Sequence, residues 1–214
     1  MALEQLDNSN ISTHLGQSSS YSGQYDKSLL VREPRQSNRG HLGISEDEEP
    51  PFHGCDVWNG YEVSCLTNAG KPVAAIAKVI YPCNSKYIVE SKSMKLYWNS
   101  FNMTQYGDND VEAMDTMAKH AIEDLSELLE TDVQVHLQFP DAVAETPVIA
   151  NAENYVHVDI AHSEGLTFDT YSETPELLEF DEFEESELRL FKSNLLKSNC
   201  RVTSQPDWGD VFIG

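Results

Sequence analysis

A chain of 214 residues can hold one large domain or two small ones, and its 40% hydrophobic content is enough for a packed core. Its 36 acidic against 14 basic residues give a formal charge of −22, which repels nucleic-acid backbones and anionic membranes and argues against direct RNA or DNA binding. No apolar run nears the roughly 20 residues that cross a bilayer, the start Met1-Ala-Leu-Glu is unlike a signal peptide, and Cys55, Cys65, Cys83 and Cys200 form no CxxC pair, so a reduced, cytoplasmic protein is expected.

Residues 1–50 are rich in Ser, Asn, Gln and Gly and read as an N-terminal arm, with ordered structure expected from about Phe52. Tyr61-Glu-Val-Ser-Cys-Leu-Thr67 alternates apolar with polar. Asn68-Ala-Gly-Lys-Pro72 then turns the chain, and Val73 to Tyr81 resumes strand-like residues, which together predict a hairpin. Asp108-Asn-Asp110 offers an N-cap to a helix ending near Glu130, with Val111, Met114, Ala118, Ala121, Ile122, Leu125 and Leu128-Leu129 on its apolar stripe. Thr131 to Phe139 alternates as a strand with Val133, Val135, Leu137 and Phe139 on one face, and Asn154 to Ile160 is a second candidate strand.

The run from Ser172 to Glu187 is strongly acidic and reads as a solvated connector with room for one helical turn. Leu188 to Cys200 and the strand-like Val211-Phe-Ile213 follow, so the sequence stops inside a β-run, and truncation is expected. The order of elements predicts an α+β fold with an antiparallel sheet and helices on one face. Its expected parts are the arm 1–50, a first module 51–165, an acidic connector 166–190 and the start of a second, incomplete module 191–214.

Two segments could carry chemistry. Cys200 lies in a polar, turn-like context, and Asp207 follows just after Pro206, which favours a turn that could bring the two side chains together. A buried, inert cysteine is the ordinary alternative. A thiolate with a carboxylic acid nearby would suit nucleophilic addition to an unsaturated carbon and protonation of its partner atom. The second segment is Glu90-Ser-Lys-Ser-Met-Lys-Leu-Tyr97. Its Glu90 could accept two N–H bonds from a purine-like base, and Lys92 and Lys95 could meet phosphates. A capped helix with solvated lysines is the competing reading. The seven histidines show no metal-ligand spacing and no glycine-rich dinucleotide loop is present, so no metal is expected and any nicotinamide cofactor is held without a Rossmann turn.

These motifs, with Pro34-Arg-Gln-Ser-Asn-Arg39, Pro51-Phe-His-Gly-Cys-Asp-Val-Trp58 and Trp98-Asn-Ser-Phe-Asn102, make the chain resemble the two-module NADPH-dependent 7-cyano-7-deazaguanine reductases from about Tyr25 to Gly214. The resemblance implies a tunnelling fold (T-fold) and reduction of the nitrile of 7-cyano-7-deazaguanine to the aminomethyl group, a step of queuosine biosynthesis for tRNA modification. Cys200 would form a covalent thioimide and Asp207 would donate the proton. Val89, Glu90 and Ser91 would bind the base, and Ser91 and Lys92 would contact NADPH. The resemblance also implies a homo-oligomer, a dimer or higher. The family's later His-Glu and Arg-Gly segments have no counterpart, so a non-catalytic purine-binding or assembly module is the alternative. A cyclohydrolase-like enzyme of the same fold would need the missing metal or histidine set.

Overall fold

The computed structural model describes residues 23–45, 47–140, 152–161, 165–172, 174–178, 188–199 and 205–214. The chain divides into two compact units, Met1–Thr146 and Pro147–Gly214. That division falls earlier than the boundary at 165/166 expected from composition.

In the first unit, strand β1 (Arg32–Pro34) leads to helix α1 (Gln36–Arg39). A long hairpin follows, made of β2 (Cys55–Leu66) and β3 (Pro72–Pro82), paired antiparallel from Cys55↔Pro82 to Leu66↔Pro72. The predicted hairpin is therefore present and starts earlier than Tyr61. Strand β4 (Tyr87–Val89) pairs antiparallel with β1, and helix α2 (Ser91–Ser100) begins right after it. Helix α3 (Asp110–Leu129) and strand β5 (Gln134–Gln138) complete the unit, with β5 antiparallel to β3. Its main sheet has the order β2-β3-β5.

Period-two burial decides which face of that sheet is covered. Val73, Ala75, Ala77, Val79 and Tyr81 alternate along β3 and are all buried, joined by Val63, Cys65, Val133 and Val135. Tyr97, Trp98 and Phe101 of the α2 region and Met117, Ala121, Leu125 and Leu129 of α3 complete the same cluster. A side chain on Gly60 would put its Cβ 3.2 Å from the Trp98 indole nitrogen, so glycine there is what lets α2 lie close to β2. A β-bulge follows it, between Gly60 and Val63.

Helix α3 starts and stops as its sequence predicts. Asn109 is the N-cap and accepts from the Glu112 N–H at 3.1 Å, while Glu112 reaches back to the Asp108 N–H at 2.9 Å. Glu130 ends it in the left-handed region at φ 55°. The apolar stripe, however, is rotated from the expected one. Val111 is exposed, and Ala113, Met117 and Asp124 are buried instead. The rotation keeps Met117 and Leu125 in register on one core-facing stripe and leaves Val111, in the first turn, outside it.

The polar N-terminal stretch departs most from expectation. Ordered structure begins well before Phe52: Leu30 is buried, the Tyr25 N–H donates to Thr104 Oγ1 at 3.0 Å, and β1 pairs residue for residue with β4. Residues 23–45 are thus part of the first unit's body.

In the second unit, β6 (Val156–His157) runs into helix α4 (Val158–Ala161). The expected strand from Asn154 to Ile160 is cut short because Asp159 bends over a neighbouring strand, accepting from the Ser193 hydroxyl at 2.7 Å and the Asn194 N–H at 2.8 Å. One 3-10 turn, Pro175–Leu177, occupies the start of the acidic run. Strand β7 (Phe191–Asn199) pairs parallel with β6 and antiparallel with β8 (Pro206–Ile213). Pro206 opens β8 rather than making a turn, a first-of-strand position where its missing N–H is tolerated. Both units mix helices with mainly antiparallel sheets, which makes the chain α+β.

Candidate functional site

The junction of β4 and α2 concentrates the residues that sequence reasoning singled out in the first unit. Glu90 is the N-cap of α2, with extended backbone at φ −77° and ψ 127°. Its carboxylate accepts from the Lys92 N–H at 3.0 Å and the Ser93 N–H at 2.6 Å, satisfying two of the four N–H groups that a helix start leaves orphaned. Glutamate is an unusual N-cap, and using it here fixes the carboxylate against the helix instead of leaving it loose in solvent. Negative charge is also favoured at that end of the helix dipole.

Val89, one residue before, is buried with its side chain in the core. What it can offer a ligand is main chain. Its N–H donates to the Tyr81 hydroxyl at 3.4 Å, which also accepts from Trp58 Nε1 at 2.8 Å. Burial pushes Tyr81 up to about 12, so the phenol stays neutral in this role. Ser91 and Lys92 form the first turn of α2, and both are exposed. Lys95, the other lysine considered for phosphate contact, is tied instead to Glu62 by an ion pair at 2.8 Å.

Two arginines of Pro34-Arg-Gln-Ser-Asn-Arg39, to which sequence reasoning gave no role, hold this junction from behind. Arg35 is buried, ion-pairs with Asp56, and donates from Nε to Ser85 Oγ at 3.0 Å. Ser85 in turn donates to the Tyr87 carbonyl at 2.9 Å, and Arg39 donates to the Cys83 carbonyl at 2.8 Å. Both arginines so anchor the turn that leads into β4. The signal was their separation by one helical turn, on a segment read as an arm.

Deeper in the unit, Asp124 accepts from the hydroxyls of Tyr25 at 2.7 Å and Tyr97 at 2.6 Å. Burial first, and the adjacent carboxylate second, push both phenols above their ordinary range. This cluster docks the N-terminal segment onto α2 and α3.

The second proposed group of residues lies in the other unit. Cys200 falls outside the described residues. Asp207 is exposed on β8 and pairs in register with Ser198, two residues before Cys200. Among the other cysteines, Cys65 is buried, which pushes its thiol up and makes it a poor nucleophile at neutral pH, while Cys55 is exposed at the start of β2. Among the described residues no group of three or more His, Cys, Asp or Glu could hold a metal ion, and no helix is long and apolar enough to cross a membrane.

Comparison with known proteins shows the family. Residues 21–137 match the family described as nitrile reductase, 7-cyano-7-deazaguanine-reductase N-term, which makes the first unit a nitrile reductase N-terminal module. The NADPH-dependent 7-cyano-7-deazaguanine reductase of Ralstonia nicotianae is 41% identical over 206 residues, covering 93% of this chain and 68% of the relative. The proteins of the same name from Cupriavidus taiwanensis and Coxiella burnetii are 42% and 38% identical over 199 and 201 residues, each again covered over 68% of its length. The chain belongs to the family of NADPH-dependent 7-cyano-7-deazaguanine reductases.

Proposed function

We propose that this chain acts in the NADPH-dependent reduction of 7-cyano-7-deazaguanine to 7-aminomethyl-7-deazaguanine, the nitrile reduction of queuosine biosynthesis. The observation that supports this most directly is the fixed Glu90 carboxylate beside an exposed Ser91-Lys92 turn. A pinned carboxylate can accept the N–H donors of a guanine-type ring edge. The bound cofactor would supply two hydrides, which with two protons take one nitrile to one primary amine. Lys92 is exposed at the N-terminus of α2 and makes no ion pair with a described carboxylate, a setting that fits a cofactor phosphate, with the Ser91 hydroxyl beside it.

In this reading Cys200 adds its thiolate to the nitrile carbon to give a thioimide, and Asp207 delivers a proton to the nitrogen. Reduction of the thioimide carbon would give a tetrahedral adduct, from which the sulfur leaves as thiolate to form the imine that the second reduction takes to the amine. Val89 contributes main chain to the base site and Glu90 its side chain. The first unit corresponds to the first module of the family, and residues 191–214 to the start of the second. The protein works as a homo-oligomer in the cytoplasm on a small molecule, without binding nucleic acid or membrane.

The test is NADPH oxidation by the purified chain with the nitrile base present, read beside intact mass. Turnover that depends on the nitrile and disappears in Cys200→Ala is expected. Turnover that survives Cys200→Ala would sink the thioimide mechanism. A mass adduct of one base without NADPH oxidation would mean that the nucleophile is formed and the cofactor site is not.

A further inference from the structure

Ser93 has no role in the reaction as set out above, and its surroundings are more specific than a helix serine requires. It is fully buried at the third position of α2. Serine is a mediocre residue inside a helix unless its hydroxyl is occupied by backbone. The Ser93 N–H donates to Glu90 Oε2 at 2.6 Å, and the hydroxyl to the Glu90 carbonyl at 2.8 Å, with the Val31 carbonyl a longer second acceptor at 3.4 Å. The hydroxyl oxygen accepts from the Val31 N–H at 3.0 Å, and the Val31 carbonyl accepts from the Glu90 N–H at 2.9 Å. Val31, Ser93 and Glu90 therefore close a ring of hydrogen bonds that leaves Glu90 held at its N–H, its carbonyl and its carboxylate.

The geometry points to Ser93 as a positioning residue for base recognition that acts through Glu90, with Val31 as its support from the N-terminal segment. This inference rests on the reading that Glu90 receives the deazaguanine ring edge. Each carboxylate oxygen already accepts one backbone N–H, which leaves one acceptor position per oxygen. Those two positions form a fork of fixed spacing, suited to the adjacent ring N–H and amino N–H of a guanine-type base and unable to serve a base that lacks either donor. The price of a loosened fork is paid when ligand binds, because the side chain must then be ordered. Replacing Ser93 by alanine removes one of the two hydrogen bonds on the Glu90 carbonyl, the other coming from the Met94 N–H at 3.0 Å, and leaves the Val31 N–H, which ties the N-terminal segment to this junction, without a partner.

The test is calorimetric titration of the full chain with 7-cyano-7-deazaguanine in a double-variant cycle. Ser93→Ala is expected to weaken binding about tenfold, the size expected when one buried hydrogen-bond hold is lost. Glu90→Ala should weaken it by more, and the double variant should bind no worse than Glu90→Ala alone, since Ser93 has nothing to position once the carboxylate is gone. Wild-type affinity in Ser93→Ala with loss in Glu90→Ala would overturn the positioning role and leave base binding by Glu90 standing. Losses that simply add would also overturn it, because they mark a general structural effect. Wild-type affinity in Glu90→Ala would remove the reading beneath it and this inference together. If Ser93→Ala does not fold, Ser93→Cys keeps nearly the same volume with weaker hydrogen bonds, and should fall between wild type and Glu90→Ala; wild-type affinity there overturns the role as well.

Discussion

The two units bury their apolar residues very differently. In the first, 21 buried hydrophobic residues from Leu30 to Val135 form one cluster. In the second, no described hydrophobic residue is buried, and Leu195, Leu196, Trp208 and Ile213 are each about half exposed or more. Both are built from strands of similar length, so strand content is not what separates them. The first unit lays helices of 10 and 20 residues across one sheet face, whereas the four-residue α4 is the only α-helix among the described residues of the second. Where no described layer covers a sheet, its register rests mainly on hydrogen bonds and the exposed apolar side chains contribute little.

That contrast can be tested by removing side chains. Phe101→Ala takes a fully buried ring out of the first unit and should cost about 3–5 kcal/mol, read as a lower denaturation midpoint in the fluorescence of Trp58 and Trp98. Gly107→Ala should cost about 2–3 kcal/mol by the same measurement. Gly107 has φ 60°, and its added Cβ would lie 2.6 Å from Glu112 Cβ and 2.7 Å from the Ala113 nitrogen.

Alkaline pH should act on the first unit too. Tyr81 and Tyr106 are pushed up to about 12 by burial, and Tyr25 and Tyr97 are also raised. A phenol that ionises less readily when folded gives stability that is complete below its unfolded value near 10. That stability is lost as pH climbs towards 12. Tyr81 alone then accounts for about 3 kcal/mol, and tyrosinate absorbance near 295 nm should rise together with loss of the circular dichroism signal rather than before it. The smallest effect belongs to the second unit, where Leu196→Ala should change stability by no more than about 0.5 kcal/mol. A loss near that of Phe101→Ala would mean that something covers this sheet in solution and would break the comparison.

The same contrast governs what the sequence could disclose. The β2–β3 hairpin and β5 were legible because one covered face imposes period two, and α3 was legible through its caps. Its stripe was misplaced by a fraction of a turn because Val111 looks apolar from sequence yet precedes the core, and Asp124 looks solvated yet serves two buried tyrosines. The N-terminal segment was illegible for another reason. Its partners are far along the chain, 62 residues away for Val31 with Ser93 and 74 for Asp26 with Ser100. A three-residue β1 is also too short to show any period. At the candidate site, Glu90 announced itself as a cap followed by a helix, while Ser93 is an ordinary residue until Val31 is placed against it.

The Tyr25–Asp124 hydrogen bond has a consequence in time. It joins residues 99 positions apart, and the Arg32 guanidinium reaches the Leu128 carbonyl over a similar span. At ribosomal speeds of 5–20 residues per second, Tyr25 leaves the exit tunnel roughly 5–20 seconds before Asp124 does. β1 can pair with β4 once residues 87–89 have emerged, but the N-terminal segment cannot lock fully until Asp124 has followed. Closing so long a loop costs entropy before any contact repays it, which makes this step a slow one. Docking of the N-terminal segment should therefore set the pace at which the β4–α2 junction becomes able to bind.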